Sequence, residues 1–209
     1  MLDRPLVLAT RNQGKISEFE RLLAGFDIEI KSLKDFGNIP PVLEDGKTFD
    51  DNAYKKAHFT AKALGFPALS DDSGLMVDAL GGDPGVHSAR YSGERATDED
   101  NNRKLLKAMQ GVNNRKAVFM CVIIIAVPGG PALTYEGMCE GEIAREPQGD
   151  NGFGYDPLFY YPPLKKTFAQ ISQEEKNRIS HRGKAMAELR SEFDKVLIWL
   201  DHRLSEEPP

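Results

Sequence analysis

Ser70-Asp71-Asp72-Ser73-Gly74 sets two adjacent carboxylates after the apolar stretch Phe66-Pro67-Ala68-Leu69 and before a small-residue turn. Along an extended chain, neighbouring side chains point to opposite faces, so only one of the pair can serve a given cleft. A carboxylate at the mouth of a buried strand is costly unless a cation or hydrogen-bond donors compensate it. The pair therefore reads either as a metal ligand or general base, or as a cap or turn, for which Asp, Ser and Gly are the usual residues.

Four other segments carry residue types suited to an anionic, aromatic ligand. Thr10-Arg11-Asn12-Gln13-Gly14-Lys15 falls at a strand-to-helix junction, where free backbone N–H groups and a partial positive charge suit phosphate. Thr10 and Asn12 supply donors and Lys15 a point charge. The segment lacks the leading Gly and the Ser/Thr of a Walker A loop, and an ordinary helix start is the alternative. Asn52 and Lys56, four residues apart, share one helix face and can point at one anion; a solvated lysine face is the alternative. Glu44, in the loop before that helix, is either a metal ligand or a solvent-facing loop acid.

Gly152-Phe153-Gly154-Tyr155-Asp156-Pro157 alternates Gly with aromatic residues, leaving open backbone beside ring faces, as stacking of a flat base requires. Asp156 adds an acceptor there, and the alternative is a turn with its aromatics in the core. Lys176 precedes Ser180-His181-Arg182-Gly183. With Ser180 as N-cap, His181 and Arg182 enter the first turn of a helix, where cations oppose the dipole unless they face an acceptor or anion. His58, His87 and His202 fall in no metal-ligand spacing.

The elements that must position these residues follow from periodicity. Leu6 to Thr10 reads as a buried strand, Gly14 to Ala24 as a helix with Ile16, Phe19, Leu22 and Leu23 on one stripe, and Asp27 to Leu33 as an alternating strand. Thr48 to Leu64 reads as a helix with Thr48 and Asp51 in a capping box. Leu69 to Ser73 and Leu75 to Val77 read as strand pieces within and beyond the aspartate motif, and 81–85 as a tight loop. Thr97 opens a helix that ends at Gly111. Ala117 to Val127 and Ala132 to Cys139, joined by Pro128-Gly129-Gly130-Pro131, read as a hairpin. Ser180 opens a last helix with Met186, Leu189, Phe193, Val196, Leu197 and Leu200 on its stripe, and 205–209 form a polar tail. Strands linked by helices, together with a hairpin, predict an α/β fold on a mixed sheet, a single domain over 1–209 without a dividing linker.

Composition narrows the classes. The 209 residues are 28% charged and 40% hydrophobic, as in an ordinary globular protein long enough to bury a sizeable core. A net charge of −5 disfavours a general nucleic-acid binder, which needs a basic surface, but not a small anion held by local cations. Two cysteines, with Cys121 in an apolar run, predict neither a disulfide framework nor a thiolate metal site. Leu6 to Ala9 is too short for a signal sequence, and the run 117–127 is about half of a membrane span, so a cytoplasmic protein with no membrane partner is expected.

In this order the motifs resemble the inosine triphosphate pyrophosphatase family, the Ham1/RdgB-like proteins. The resemblance runs over nearly the whole chain: Thr10-x-Asn12-x-x-Lys15, Glu44, Thr48-Phe49-x-x-Asn52-Ala53-x-x-Lys56, Ser70 to Leu75, Ser88-Ala89-Arg90-Tyr91, Gly152 to Phe159, and Ser180 to Gly183. Asp51 departs from the family's more frequent Glu and keeps the acid a cap needs. The resemblance implies a two-lobed α/β fold on a long mixed sheet, with the active site in the cleft between the lobes. It implies hydrolysis of ITP, dITP and XTP to the monophosphate and pyrophosphate with Mg²⁺, by a homodimer.

By the same resemblance Asp72 is the base that activates water and also a Mg²⁺ ligand, with Glu44 as second ligand. Strand parity turns Asp71 the other way, to brace either the loop or the layer of side chains behind the metal ligands. Lys15 and Lys56 hold the triphosphate, and Thr10, Asn12 and Ser73 donate hydrogen bonds to it. The rest of the segment 10–15 (Arg11, Gln13 and Gly14) counts among the substrate contacts, as do Phe153, Gly154, Tyr155 and Asp156. Phe153 stacks on the purine, and Lys176, His181 and Arg182 offer donors to its 6-keto oxygen. The rival readings are a pyrophosphatase for modified pyrimidines or methylated bases, a nucleoside kinase, and a nucleotide- or RNA-binding module without catalysis.

Overall fold

The computed structural model describes residues 4–206; the last part of the polar tail, 207–209, lies outside them, and Ser205 and Glu206 belong to the final helix. The strands are β1 (Leu6–Leu8), β2 (Ile30–Ser32), β3 (Ala68–Val77), β4 (Lys116–Ala126), β5 (Ala132–Ile143), β6 (Phe159–Tyr161) and β7 (Lys166–Thr167). The helices are α1 (Gln13–Leu23), α2 (Phe49–Leu64), α3 (Asp98–Ala108), α4 (Gln173–Ile179) and α5 (His181–Glu206). Hydrogen bonding orders the strands β2-β1-β3-β4-β5-β6-β7. β1 runs parallel to β2 and β3, whereas β6 runs antiparallel to β5 and β7, so the sheet is mixed, as the sequence predicts.

The chain forms two compact units from interleaved segments. The first takes residues up to 72, 122–135 and those from 185 on; the second takes 73–121 and 136–184. In the first, α2 lays Ala61 against Val7 and Ala68 of adjacent strands, with Leu33, Phe36, Leu64 and Phe66 around them. Alanines along one side of α2 (Ala53, Ala57, Ala61) are fully buried, as close approach of a helix to a sheet requires. In the second unit a larger core gathers Leu75, Leu105, Phe119, Phe159 and Phe168 with Tyr155 and Ile171.

The local signals formed as expected. Thr48 caps α2, its side chain accepting from Asp51 N while the Asp51 carboxylate accepts from Thr48 N. Thr97 and Asp100 do the same for α3. Of the α5 stripe, Met186, Leu189, Phe193, Val196 and Leu200 are buried and Leu197 is half-buried. Both cysteines are free and buried.

Several elements differ from expectation: β5 runs on to Ile143, and β6 and β7 were unassigned from sequence. The strand expected over 27–33 is only Ile30–Ser32; at its C-terminal end Ser32 caps a 3₁₀ turn over Leu33–Phe36, with Asp35 answering from the third position. The aspartate motif interrupts nothing: β3 runs unbroken from Ala68 to Val77 through Gly74, held by its neighbours β1 and β4. Residues 173–179, unassigned from sequence, form α4, capped by Ser172 with Glu175.

Candidate active site

In the first unit, the predicted phosphate residues gather around the start of α1 and the middle of α2's sheet partner β3. Asn12 is the N-cap of α1, its Oδ1 accepting from Lys15 N at 3.2 Å, and Thr10 Oγ1 accepts from Asn12 N at 3.1 Å. Both side-chain oxygens thus shape the turn, leaving the Thr10 hydroxyl proton and the Asn12 amide protons as donors. Arg11 reaches the loop that follows β2 and donates to the carbonyls of Gly37 and Ile39, at 3.2 and 3.0 Å. Gln13 accepts from Lys34, and Gly14 follows it in the first turn of α1. Arg11 and Gln13 are therefore engaged in holding that loop.

The two aspartates separate as strand parity requires. Asp71 is 4% exposed and pairs through Oδ2 with Lys15 Nζ at 2.9 Å, which compensates its burial and ties β3 to α1. Asp72 faces Lys56, whose Nζ lies 3.5 Å from Asp72 Oδ1, 2.9 Å from Glu44 Oε1 and 2.8 Å from the Asp71 carbonyl. One ammonium thus collects both carboxylates predicted as metal ligands. Burial alone would lower the Lys56 pKa, but Asp72 and Glu44 outweigh it and hold the group above the ordinary lysine range. Burial pushes the Asp72 carboxyl above its usual range, and Lys56 and Asn52 draw it only part of the way back.

Glu44 reaches this point because its loop is laced onto the start of α2. Gly46 N donates to Asn52 Oδ1 at 2.8 Å, Lys47 N to Asp51 Oδ2 at 3.1 Å, and Asp45 pairs with Lys55 at 2.6 Å. A Cβ at position 46 would come within 2.6 Å of Asn52 Oδ1, so only glycine lets the loop pass this close. Asn52, buried to 1% exposure, lies close enough to Asp72 to favour its ionised form, yet its Nδ2 makes no protein hydrogen bond of ordinary geometry. Lys15, Lys56, Glu44 and Asp71 line a cavity of about 520 Å³ together with Thr10 and Arg11.

In the second unit, the predicted base-recognition residues form another group. Asp156 is buried and accepts from Phe153 N at 2.9 Å and from the Lys176 ammonium. Burial raises the Asp156 pKa, opposed chiefly by Lys176. Gly152 has φ +80°, and a Cβ there would meet Asp156 Oδ2 at 2.0 Å, so the glycine at 152 answers to Asp156. Lys176 Nζ sits 4.5 Å from the centroid of the Phe153 ring, which is 71% exposed. His181 stacks on Phe119 at 4.7 Å, and Ser180 caps α5 by accepting from Gly183 N, so His181 and Arg182 do occupy its first turn. Ser73 lies on β3, the residue after Asp72.

Tyr155 departs from its expected place among the substrate contacts. Its ring is in the core at 5% exposure and its hydroxyl donates to Ser88 O at 2.9 Å, so it anchors the Gly-aromatic run from below. Its alternation with exposed Phe153 could have shown this. Asp98 and Asn102 escaped the sequence reading: Asp98 Oδ2 accepts from Gly154 N at 2.6 Å, and Asn102 Nδ2 donates to Gly154 O at 2.9 Å. Their spacing, four residues apart in a helix opened by Thr97, is the only local sign, and an acid in a first turn ordinarily needs no other reason.

Comparison with known proteins places this architecture. The family model described as "Ham1 family" matches residues 6–192. A dITP/XTP pyrophosphatase of Desulfotalea psychrophila is 61% identical over 204 residues, covering 98% of this chain and 92% of that protein. One from Syntrophobacter fumaroxidans is 60% identical, covering 97% and 87%. Among solved structures, a HAM1 protein from Coxiella burnetii superposes with a TM-score of 0.89 at 43% identity, covering 92% of this chain and 99% of that one. The Staphylococcus aureus Ham1 protein gives 0.88 at 42% identity, with 92% and 100% covered. With a family model spanning most of its length and relatives at this identity, the chain belongs to the Ham1 family.

Proposed function

We propose that this protein hydrolyses ITP, dITP and XTP to the corresponding monophosphate and pyrophosphate, removing these purine triphosphates from the nucleotide pool. The observation that carries the proposal is the convergence of Glu44 and Asp72 on the Lys56 ammonium, with Lys15 lining the same cavity. Such a site offers an acid–base group and two cations to a triphosphate. The names of the relatives above agree with it.

In the reaction a water oxygen attacks the α-phosphorus, the bond to the α–β bridging oxygen breaks, and pyrophosphate leaves with that electron pair. Asp72 accepts the proton of the attacking water; Lys15 and Lys56 neutralise charge that grows on the departing pyrophosphate. Thr10, Asn12 and Ser73 donate hydrogen bonds to phosphate oxygens. Phe153 stacks on the purine, and Lys176, His181 and Arg182 present donors to its 6-keto oxygen. Adenine has an amino donor there and would face a donor, the kind of mismatch that rejects an analogue by roughly 10⁴–10⁵-fold.

Mg²⁺ is the proposed cofactor. Two carboxylates meeting at one cationic point are a hard oxygen donor set, and Mg²⁺ is commonly held by one or two carboxylates with phosphates and waters completing the shell. Glu44 and Asp72 would hold it, although no group of three acidic, His or Cys side chains suited to a metal occurs among the described residues. When bound, Mg²⁺ supplies electrostatic stabilisation of phosphate charge and keeps a neighbouring carboxylate ionised. Protein stripped with EDTA should be inactive and recover on adding Mg²⁺; full turnover in EDTA would remove the metal from the reading.

A homodimer in the cytoplasm completes the proposal, with no nucleic acid or membrane as partner; among the described residues no helix is long and apolar enough to cross a membrane. Sedimentation equilibrium tests the dimer. The deciding experiment is a panel of nucleoside triphosphates with Mg²⁺, read by pyrophosphate against orthophosphate. ITP, dITP and XTP should release pyrophosphate while ATP, CTP and UTP do not. Release of orthophosphate, or preference for a modified pyrimidine, would overturn the proposal.

A further inference from the structure

Phe153 stands 71% exposed, yet the backbone N–H and C=O of Phe153 and Gly154 are all hydrogen-bonded. Phe153 N donates to Asp156 Oδ2 at 2.9 Å, and Phe153 O accepts from Asp156 N at 3.2 Å. The next peptide groups are held by α3: Gly154 N by Asp98 Oδ2 at 2.6 Å and Gly154 O by Asn102 Nδ2 at 2.9 Å. Asp98 and Asn102 are four residues apart, so one helix face presents an acceptor and a donor to the two ends of a single residue. Gly154 has φ +60° with nothing within 4 Å of a hypothetical Cβ, so its glycine serves the backbone conformation and not a tight contact. Asn102 also leaves its buried Oδ1 without a protein hydrogen bond. A residue chosen for stability alone would satisfy both ends of its amide or avoid burying it.

We propose that Asp98 and Asn102 are positioning residues that clamp Gly154 from α3 and thereby hold the Phe153 ring ready to stack on the substrate base. The inference rests on the proposed reading as a purine nucleoside-triphosphate pyrophosphatase. An exposed ring on a loose loop would have to be ordered each time substrate binds; a loop already clamped avoids that entropic loss, and the gain appears as binding of the base. Neither side chain need touch the substrate.

The test is a kinetic cycle on ITP with the full-length protein. Asp98→Ala should raise KM for ITP about tenfold, the scale of one hydrogen bond to a charged group, and Asn102→Ala about threefold, with kcat within twofold of the parent. Asp98→Asn, which retains an acceptor oxygen, should restore most of the affinity. Inhibition by inorganic tripolyphosphate, which has no base, should be unchanged in all of them. In a Phe153→Ala background the effects of both substitutions on KM should vanish, because the ring they position is gone. A KM unmoved by Asp98→Ala and Asn102→Ala, or raised equally with and without Phe153, would overturn the clamp. If Asp98→Ala does not fold, Asn102→Ala and Asp98→Asn decide the same question. Absence of ITP hydrolysis in the parent protein would instead strike the functional reading, a result distinct from normal hydrolysis with an insensitive KM.

Discussion

At the residue scale the site is a set of charges, each explained by its partner. Asp72 is a carboxylate whose burial raises its pKa more than Lys56 and Asn52 lower it. A group with a raised folded pKa contributes stability that is full below its unfolded pKa and is lost as pH rises through the folded value. Above that window the ionised Asp72 is a cost to the metal-free protein. Asp72→Asn should therefore abolish turnover while raising the melting temperature at pH 7, and the gain should shrink as pH falls toward the ordinary aspartate range. Thermal denaturation with EDTA present, at several pH values, checks this; a lower melting temperature at pH 7 would mean that the Lys56 contact outweighs burial.

Lys15 has two roles at the same scale, pairing with buried Asp71 and, in the proposed reaction, holding the triphosphate. Lys15→Ala should weaken ITP binding far more than inosine binding and also cost stability, on the order of 1–3 kcal/mol, because a buried carboxylate loses its ammonium partner. Adding Asp71→Asn should recover stability but not triphosphate affinity, as read by denaturant melts beside titration calorimetry.

At the element scale, short signals position the site. The Thr48–Asp51 capping box starts α2 in the register that carries Asn52 and Lys56, and Asn52 then secures the Glu44 loop through Gly46. The junction of α4 and α5 is equally local: Ser180 N donates to Lys176 O, and Gly183 passes so close to Asn177 that a Cβ would lie 1.7 Å from its carbonyl oxygen. Gly183→Ala must spread this junction, displacing His181 and Arg182 relative to Lys176. We expect a loss of about 1–3 kcal/mol, typical of overpacking, and a raised KM for ITP, measured by denaturant melts and steady-state kinetics. Capping pairs and amphipathic stripes were legible because they act within four residues. The continuity of β3 through Gly74 was not, since it follows from pairing with neighbouring strands.

At the scale of the whole molecule, the chain passes between its two units after residues 72, 121, 135 and 184. Neither unit is a contiguous stretch, and the long strands β3, β4 and β5 each contribute to both. A fragment ending at 121 should thus fail to fold, lacking the 185–206 helix segment that supplies buried Leu189, Phe193 and Leu200 to the first unit; circular dichroism and proteolysis of the fragment test this.

The family resemblance, the α/β class, most helices with their caps, and the candidate side chains for phosphate, metal and base could all be read along the chain. Those properties depend on residue type, short spacing and motif order. Which group answers which emerges from the folded arrangement: Lys15 to Asp71, Lys56 to both Glu44 and Asp72, Lys176 to Asp156, and α3 to Gly154. It also sent Tyr155 into the core while leaving Phe153 exposed. The reason is range. A cap is chosen by neighbours along the chain, whereas the partner of a buried charge is chosen by strand order and helix placement, which bring together residues that no local pattern connects.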